Sequence, residues 1–315
     1  MEVNCAVCDH AAHLWQDFRR LRHHIKWDLY ECSKCSFQFW YPLEQSPREY
    51  FEDNYTDFSD ASLKPSKLGC RHQMLIKHMP VRTGTVLDIG CGDGSFLAKL
   101  RYSGFDVWGI DFNRKAIAKA KHLLNLNNLF PLSIYDFVNL PNKPRVNLIT
   151  FFEVLEHIEN PKRFITSLKS LLEVNGFIAL SVPDSRMFGP WEYQVNAAPY
   201  HTAYWTPSTL TTFLSKNDFD VLMIKKIERP DAAAIIVNAF MKLGVIKTVP
   251  SSTSTAAGPV KVELAPHKEI LRKALKAVVR FIGFPIREVL YAVGVRPTIF
   301  VLAQLNCAEE VSRHA

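Results

Sequence analysis

The sequence lacks long hydrophobic runs. Nowhere in its 315 residues do about 18 apolar residues follow one another, which is the length that a membrane-spanning helix needs. Residues 1–5 contain neither the basic cluster nor the apolar stretch of a secretory signal. Hydrophobic residues still make up 48% of the chain, enough for a sizeable core. We therefore expect a cytoplasmic globular protein whose thiols stay reduced.

Cysteine is scarce, with 7 residues, and four of them form two Cys-x-x-Cys pairs. Cys5 and Cys8 make the first pair, and Cys32 and Cys35 make the second. Four thiolates at this spacing are typical of a tetrahedral structural zinc site, which has no open position for a catalytic water. The alternative is a chance pairing of cysteines. The spacing predicts a small zinc ribbon over residues 1–42, a segment too short to bury a core of its own.

Glycine is also infrequent, with 13 residues, but three glycines alternate in one short run. An apolar segment with Asp88 near its end leads into Gly90, Gly92 and Gly94, and a helical pattern follows over 95–102. Such a turn after a parallel strand presents backbone N–H groups and a helix N-terminus to a nucleotide-like ligand. The glycines alone would also fit a nicotinamide-binding unit or a plain turn between a strand and a helix.

Two further acids follow apolar segments of the same half of the chain. The segment 107–110 ends at Asp111, which is placed to accept hydrogen bonds from the two hydroxyls of a ribose. A strand is predicted over 132–135, and Asp136 follows it.

A second motif, FFEVLEHIENP, occupies residues 151–161. It predicts the end of another strand and a capped helix over 162–172. Between them lies a polar segment, residues 153–160, which we call the crest and which includes Glu153 and His157. This helix is expected to stop at the Asn-Gly pair that begins at Asn175, before the fifth strand.

These motifs together resemble those of class I S-adenosylmethionine (SAM)-dependent methyltransferases, in particular the ubiquinone-biosynthesis-like and sugar-modifying members. The resemblance covers roughly residues 65–230. It implies an α/β fold with a doubly wound, seven-stranded Rossmann-like core, a small N-terminal zinc ribbon and a helical insert before the last strand. It also implies SAM as the cofactor, with ten candidate binding residues: Asp88, Gly90, Cys91, Gly92, Gly94, Asp111, Phe112, Asp136, Phe137 and Glu153.

The acceptor side of the sequence carries two histidines. Methyl transfer to a hydroxyl, a phenol or an acidic carbon needs positioning and a base that is effective near neutral pH, a role suited to histidine. His157 lies on the crest, and His201 lies in an aromatic loop before a helix predicted over 208–216. A similar loop closes over the acceptor in related sugar and quinone methyltransferases. The resemblance therefore implies His201 as the base, with Tyr200 and Tyr204 shaping the pocket, and His157 as a second catalytic or a structural residue.

The chain is predicted to divide into five parts. They are a zinc ribbon (1–42), a lid or linker with aromatic residues and a helix over 66–79 (43–80), the SAM-binding core (81–230), a basic amphipathic insert (231–296), and a final strand with a tail (297–315). The aromatic residues of the second part either cover the cofactor or pack the ribbon against the core.

Residues 241–297 hold ten Lys/Arg and three Asp/Glu, a net charge of +7 that equals the formal charge of the whole chain. A helix predicted over 266–282 has one apolar and one basic face. Residues 266–286 therefore suit peripheral contact with an anionic membrane at its inner face. Packing of the apolar face on the core is the alternative, and binding to RNA phosphates is less favoured.

The sequence thus predicts SAM-dependent methyl transfer to a small-molecule acceptor, a sugar (nucleotide- or lipid-linked) or a quinone-like precursor. The first alternative is an RNA methyltransferase, because some enzymes of that kind also carry an N-terminal zinc module. The second is a non-catalytic SAM-binding scaffold. The acceptor and the oligomeric state do not follow from the fold class.

Overall fold

The computed structural model describes residues 3–22, 25–44, 67–189, 193, 196–230, 235–236, 238–239, 284–293 and 295–306. These residues form two β-sheets, of seven and five strands, with helices packed on the larger one. The predicted α/β class with a seven-stranded, Rossmann-like core and an N-terminal ribbon is confirmed.

The seven-stranded sheet has the order β11-β12-β9-β8-β5-β6-β7. Its strands are β5 (Thr85–Ile89), β6 (Asp106–Ile110), β7 (Leu129–Phe130), β8 (Val146–Phe152), β9 (Leu172–Pro183), β11 (Phe219–Ile227) and β12 (Thr298–Leu305). Only β12 runs antiparallel to its neighbours among these described strands. Order and direction together place the carboxyl ends of β5, β6 and β8 side by side, where a ligand of a doubly wound sheet binds.

The described helices are α1 (Cys70–Lys77), α2 (Ser95–Tyr102), α3 (Arg114–Leu124), α4 (Ile134–Phe137), α5 (Pro161–Leu171), α6 (Pro207–Ser215) and α7 (Phe284–Ala292), with 3-10 turns at Leu155–His157 and Ser185–Met187. Helices α2 to α5 each follow one of the parallel strands. Side chains cap the starts as expected: the Asn160 side chain accepts a hydrogen bond from the Arg163 N–H, and Pro161 occupies the first turn of α5.

The prediction of a strand over 132–135 is wrong. The strand that pairs with β6 is Leu129–Phe130, and Ile134–Phe137 is the short helix α4. The Ser133 side chain accepts a hydrogen bond from the Asp136 N–H, an N-cap that starts a helical turn here.

The predicted end of the helix after the crest is also corrected. Helix α5 ends at Leu171, and Leu172 is already extended and begins β9. Asn175 has a left-handed backbone (φ 57°) but lies within β9, where the register against β8 shifts. Leu171 and Leu172 are both fully buried, so tertiary packing decides where the helix stops.

The five-stranded sheet joins the N-terminal ribbon to the core. Its order is β1-β2-β3-β4-β10. The strands are β1 (Val3–Asn4), β2 (Ala11–Arg22), β3 (Ile25–Cys32), β4 (Gln38–Tyr41) and β10 (Ala203–Tyr204). The last of these comes from the predicted acceptor loop, more than 160 positions further along the chain. Ribbon and core therefore share one sheet.

Parts of the predicted lid and insert lie outside the described residues. These parts are residues 45–66 of the lid and residues 231–234, 237, 240–283 and 294 of the insert, including the helix predicted over 266–282. Helix α1 is shorter than the predicted 66–79. Within the described part of the chain, no helix is long and apolar enough to cross a membrane.

Candidate cofactor and acceptor site

The glycine run forms the turn between β5 and α2. The backbone N–H groups of Gly90 and Cys91 donate to the Ile110 carbonyl at 2.8 and 3.1 Å, which joins the turn to the end of β6. Gly90 has φ +77°, and a Cβ at this position would lie 2.8 Å from the Val154 Cγ2. Glycine is therefore required where the turn approaches the segment after β8.

Asp111 follows β6 directly and lies beside the glycine turn. One carboxylate oxygen accepts a hydrogen bond from the Gly92 N–H at 2.9 Å, and the other accepts one from the Asn113 N–H at 2.7 Å. Both bonds orient the carboxylate along the wall of a cavity of about 500 Å³. Each oxygen retains acceptor capacity for a ligand hydroxyl.

Asp88 lies one layer deeper. It is 4% exposed, and its Oδ1 accepts a hydrogen bond from the Thr150 hydroxyl at 2.6 Å. Burial raises the pKa of Asp88 to about 7, opposed in part by the Thr150 hydrogen bond. Asp88 and Cys91 line a smaller cavity of about 170 Å³, which is also lined by Gly90 and Gly92. A cationic ligand in this cavity would favour the ionised carboxylate.

Arg71 is a site residue that the sequence did not indicate. It lies in the first turn of α1 and lines both cavities. Its Nη1 is 3.2 Å from Glu228 Oε1, whereas its buried Nε has no hydrogen-bond partner among the described residues. Its charge helps to lower the pKa values of Asp88 and Glu153 against the effect of burial. No local sequence pattern indicates that α1 packs over the glycine turn.

Two acids of the crest, Glu153 and Glu156, also line the larger cavity. Glu153 has a left-handed backbone (φ 56°), which is strained for a residue with a side chain, and it accepts a hydrogen bond from the Ser181 hydroxyl at 2.7 Å. Glu156 is 2% exposed, and its Oε2 has no hydrogen-bond partner within the described residues. Burial, and then the neighbouring Glu153, raises the pKa of Glu156 well above its ordinary value.

The two histidines come together in the same cavity. The rings of His157 and His201 are 4.8 Å apart and nearly perpendicular (83°). His157 Nδ1 is hydrogen-bonded to the Tyr200 carbonyl at 2.5 Å, and His201 Nδ1 has no partner among the described residues. Both residues are half-buried and line the cavity. Burial therefore lowers the pKa of His157 to about 4 and that of His201 well below its ordinary range.

The other predicted site residues divide into two groups. Phe112 and Tyr200 line the larger cavity, as do Asp111, Glu153 and both histidines. Four others do not line either cavity: Gly94, Asp136, Phe137 and Tyr204. Gly94 caps α2 with φ +72°, Asp136 accepts a hydrogen bond from the Ser133 hydroxyl, and Phe137 is fully buried. Tyr204 faces the ribbon, where it bonds Trp40.

The comparison with known families agrees with this geometry. A family model described as a methyltransferase domain matches residues 48–224, more than half of the chain. The chain belongs to this methyltransferase family. The matched range begins ahead of α1 and ends within β11, so it includes every element around the two cavities.

Curated relatives of the methyltransferase domain include two ubiquinone biosynthesis O-methyltransferases. The mitochondrial enzyme of Dictyostelium discoideum is 27% identical over 172 residues, which is 47% of this chain and 53% of the relative. The enzyme of Glaesserella parasuis is 30% identical over 153 residues, 43% of this chain and 64% of the relative. The chain thus spans between half and two thirds of the length of these relatives.

Solved structures similar to the methyltransferase domain include a SAM-dependent methyltransferase from Archaeoglobus fulgidus. It has a TM-score of 0.46 and 20% identity, and the match covers 75% of this chain and 95% of that one. Another, from Mesorhizobium loti, has a TM-score of 0.47 and 13% identity, with coverage of 75% and 98%.

SAM, the cofactor that this family implies, fits the residues present. The Asp111 carboxylate suits ribose hydroxyls, and the glycine turn lets a ligand approach the backbone closely. Arg71 offers a partly buried guanidinium for a carboxylate, and Asp88 offers an acid for a cationic group. The two cavities share Arg71, Gly90 and Gly92, so one elongated ligand can reach both.

The four cysteines of the methyltransferase's ribbon form one cluster. The Sγ atoms of Cys5 and Cys35 are 3.6 Å apart, and Cys8 lies 3.4 Å from Cys32 and 3.5 Å from Cys35. None of these four forms a disulfide. Sulfurs around a tetrahedral zinc with bonds of about 2.3 Å are about 3.8 Å apart, so the cluster fits that ion. The Val7 and Lys34 N–H groups point to Sγ atoms, as thiolate acceptors require.

A second cluster lies in the larger cavity, where the two histidines meet. Ligand atoms of Glu156, His157 and His201 all lie within 4.8 Å of one another. Such a set can bind a small cation, or it can share protons and hydrogen bonds with a polar acceptor.

Proposed function

We propose that the protein transfers a methyl group from SAM to a small-molecule acceptor, a sugar (nucleotide- or lipid-linked) or a quinone-like precursor. Family membership and the O-methyltransferase names of the curated relatives support this proposal. A hydroxyl acceptor is the form that the site chemistry favours, because buried acids and histidines at the end of the cavity can bind and deprotonate it.

The observation that carries the proposal is the continuity of one cavity. The cavity of about 500 Å³ is lined both by Gly92 and Asp111 and by Glu156 and His201. In-line displacement needs the donor carbon and the acceptor atom to be held within about 3–3.5 Å of each other. A shared cavity supplies that positioning.

SAM supplies an electrophilic methyl group on a positively charged sulfur. Asp111 holds the ribose and Arg71 the carboxylate of the cofactor's amino-acid end. His201, which has a buried ring nitrogen without a partner among the described residues, accepts the proton of the acceptor hydroxyl, although its lowered pKa makes it a weaker base than an exposed histidine. Glu156, whose raised pKa brings its basicity closer to neutrality, is the second candidate base. The four-cysteine cluster holds a structural zinc ion.

Transfer of labelled methyl from SAM into fractionated cell extract tests the proposal. Asp111→Ala serves as the cofactor-binding control. Label in a lipid or small-molecule fraction, lost with the Asp111→Ala variant, is the expected result. Label in RNA would instead support the RNA-methyltransferase alternative. Tight SAM binding without label in any fraction, including lipid and nucleotide-sugar fractions, would support the scaffold alternative.

We also propose that the protein works in the cytoplasm and contacts the inner face of an anionic membrane through residues 266–286. The support is the net charge of +7 over 241–297 in the sequence. Deletion of residues 247–290 should abolish sedimentation with vesicles of anionic lipid. Equal sedimentation of the full and shortened chains would contradict this proposal.

A further inference from the structure

The acceptor loop, residues 196–206, is built into the sheet of the ribbon. Strand β10 pairs with β4 in an antiparallel register, with Ala203 opposite Phe39 and Tyr204 opposite Gln38. The Trp40 N–H also donates to the Thr202 carbonyl at 2.9 Å. The backbone of the loop next to His201 is therefore held by the ribbon.

Buried side chains reinforce this pairing. The Trp40 indole N–H donates to the Tyr204 hydroxyl at 3.0 Å, and this hydroxyl donates to the Asn196 carbonyl at 3.1 Å. Trp40 and Tyr204 are 1% and 2% exposed. Removal of the hydroxyl would leave a buried indole N–H and a carbonyl without this partner, which is costly in a buried site.

The opposite edge of the loop is bonded to the crest. The Thr202 N–H donates to the Glu156 carbonyl at 2.8 Å, and its hydroxyl donates to the Ile158 carbonyl at 3.0 Å. His157 Nδ1 bonds the Tyr200 carbonyl. The loop thus lies between the ribbon and the crest, and His201 belongs to the part of the loop that is bonded to both.

We propose that the ribbon is a positioning element of the acceptor site, and that Trp40 and Tyr204 are positioning residues that set the placement of His201. No described residue of the ribbon lines the larger cavity, so the ribbon acts through the loop and not on the acceptor. The description of this end as the acceptor site rests on the proposed function, whereas the mechanical coupling to His201 does not.

The first experiment reads the His201 ring directly. Histidine labelled with ¹³C at Cε1 is incorporated into the full chain, and the His201 signal is assigned with His201→Gln. Tyr204→Phe should shift or broaden the His201 signal and leave the His72 signal unchanged, because His72 packs on Phe96 beside the cofactor end.

Tyr30→Phe is the matched control. Tyr30 is a ribbon tyrosine whose ring packs on Phe39 at 6.2 Å, and its hydroxyl makes no hydrogen bond to the described residues. This variant should leave the His201 signal in place. Trp40→Phe, which removes the indole donor, should reproduce the effect of Tyr204→Phe. An unchanged His201 signal in both variants would overturn the inference.

A second arm separates this inference from the proposed function. Binding of S-adenosylhomocysteine to Tyr204→Phe should stay within about two-fold of that of the unmodified protein. With the acceptor found by the labelling assay, kcat/KM for the acceptor should fall about ten-fold in Tyr204→Phe and not in Tyr30→Phe. If the labelling assay finds no acceptor but the His201 signal moves, the proposed function fails and the positioning role of the ribbon stands.

Discussion

The two ends of the larger cavity are built in different ways. The cofactor end comes mainly from the carboxyl ends of adjacent strands β5 and β6, over residues 88–111, with Arg71 added from α1, and much of its recognition chemistry is backbone. The acceptor end joins buried side chains of the crest to a loop about 45 residues later, and that loop is held by the N-terminal ribbon.

Because of this difference, we expect the cofactor end to provide general cofactor binding and the acceptor end to provide specificity for the acceptor. Backbone groups at a strand-to-helix turn serve any chain that binds the same nucleotide-like ligand. Glu156 and His201 each have a buried polar atom without a partner among the described residues, which is costly in folding, and such groups persist where a ligand completes their hydrogen bonds. Variants at the two ends should therefore affect different steps.

The largest expected effect is at the acceptor end. His201→Ala should lower methyl transfer by about 10²–10⁴-fold, the range for loss of a general base. Binding of S-adenosylhomocysteine, measured by calorimetry, should stay within about two-fold. His122→Ala, which changes an exposed histidine of α3, is the control. Unchanged turnover in His201→Ala would mean that His201 is not the base and would leave Glu156 as the candidate.

The next effect is at the cofactor end. Asp111→Ala should weaken binding of S-adenosylhomocysteine about 100-fold, because two hydrogen bonds to a charged group contribute about 3 kcal/mol together. Asp106→Ala removes an exposed acid at the opposite end of the same strand and should leave the affinity unchanged. Equal weakening in both variants would mean that the effect is on folding.

Arg71 allows a test of one contact within the cofactor end, the contact to the carboxylate of the cofactor. Arg71→Met should weaken binding of S-adenosylhomocysteine about ten-fold, because a partly buried charge-assisted hydrogen bond is lost. Binding of 5′-methylthioadenosine, which has no carboxylate, should not change. Arg145→Met, at an exposed arginine just before β8, is the control. Equal weakening for both ligands would exclude Arg71 as the carboxylate partner.

The smallest effect is a pH dependence of SAM binding. The pKa of Asp88 is raised to about 7 in the free protein, and a cationic ligand lowers it. Binding must then release a proton below pH 7, so affinity should rise about three-fold from pH 6.5 to 7.5. Calorimetry in buffers of different ionisation enthalpy measures this proton. In Asp88→Asn the proton release should disappear, and persistent release would assign it to another group.

The cofactor end was largely predictable because its signals are local. The glycine turn, α2 over Ser95–Tyr102 and the acid after β6 each depend on neighbours within a few residues. The prediction failed at 132–135, where one capping serine outweighed an apolar pattern, and after α5, where burial of two leucines set the helix end.

The sequence by itself determined the doubly wound core, the four-cysteine cluster and the order of motifs along the strands, because periodicity, turn residues and ligand spacing are short-range properties. Tertiary structure alone decided that Arg71 lies over the glycine turn, that His157 faces His201, and that the ribbon completes its sheet with β10. Those contacts join segments far apart in the chain. Packing and burial select them, and no local pattern encodes which partner a buried side chain will meet.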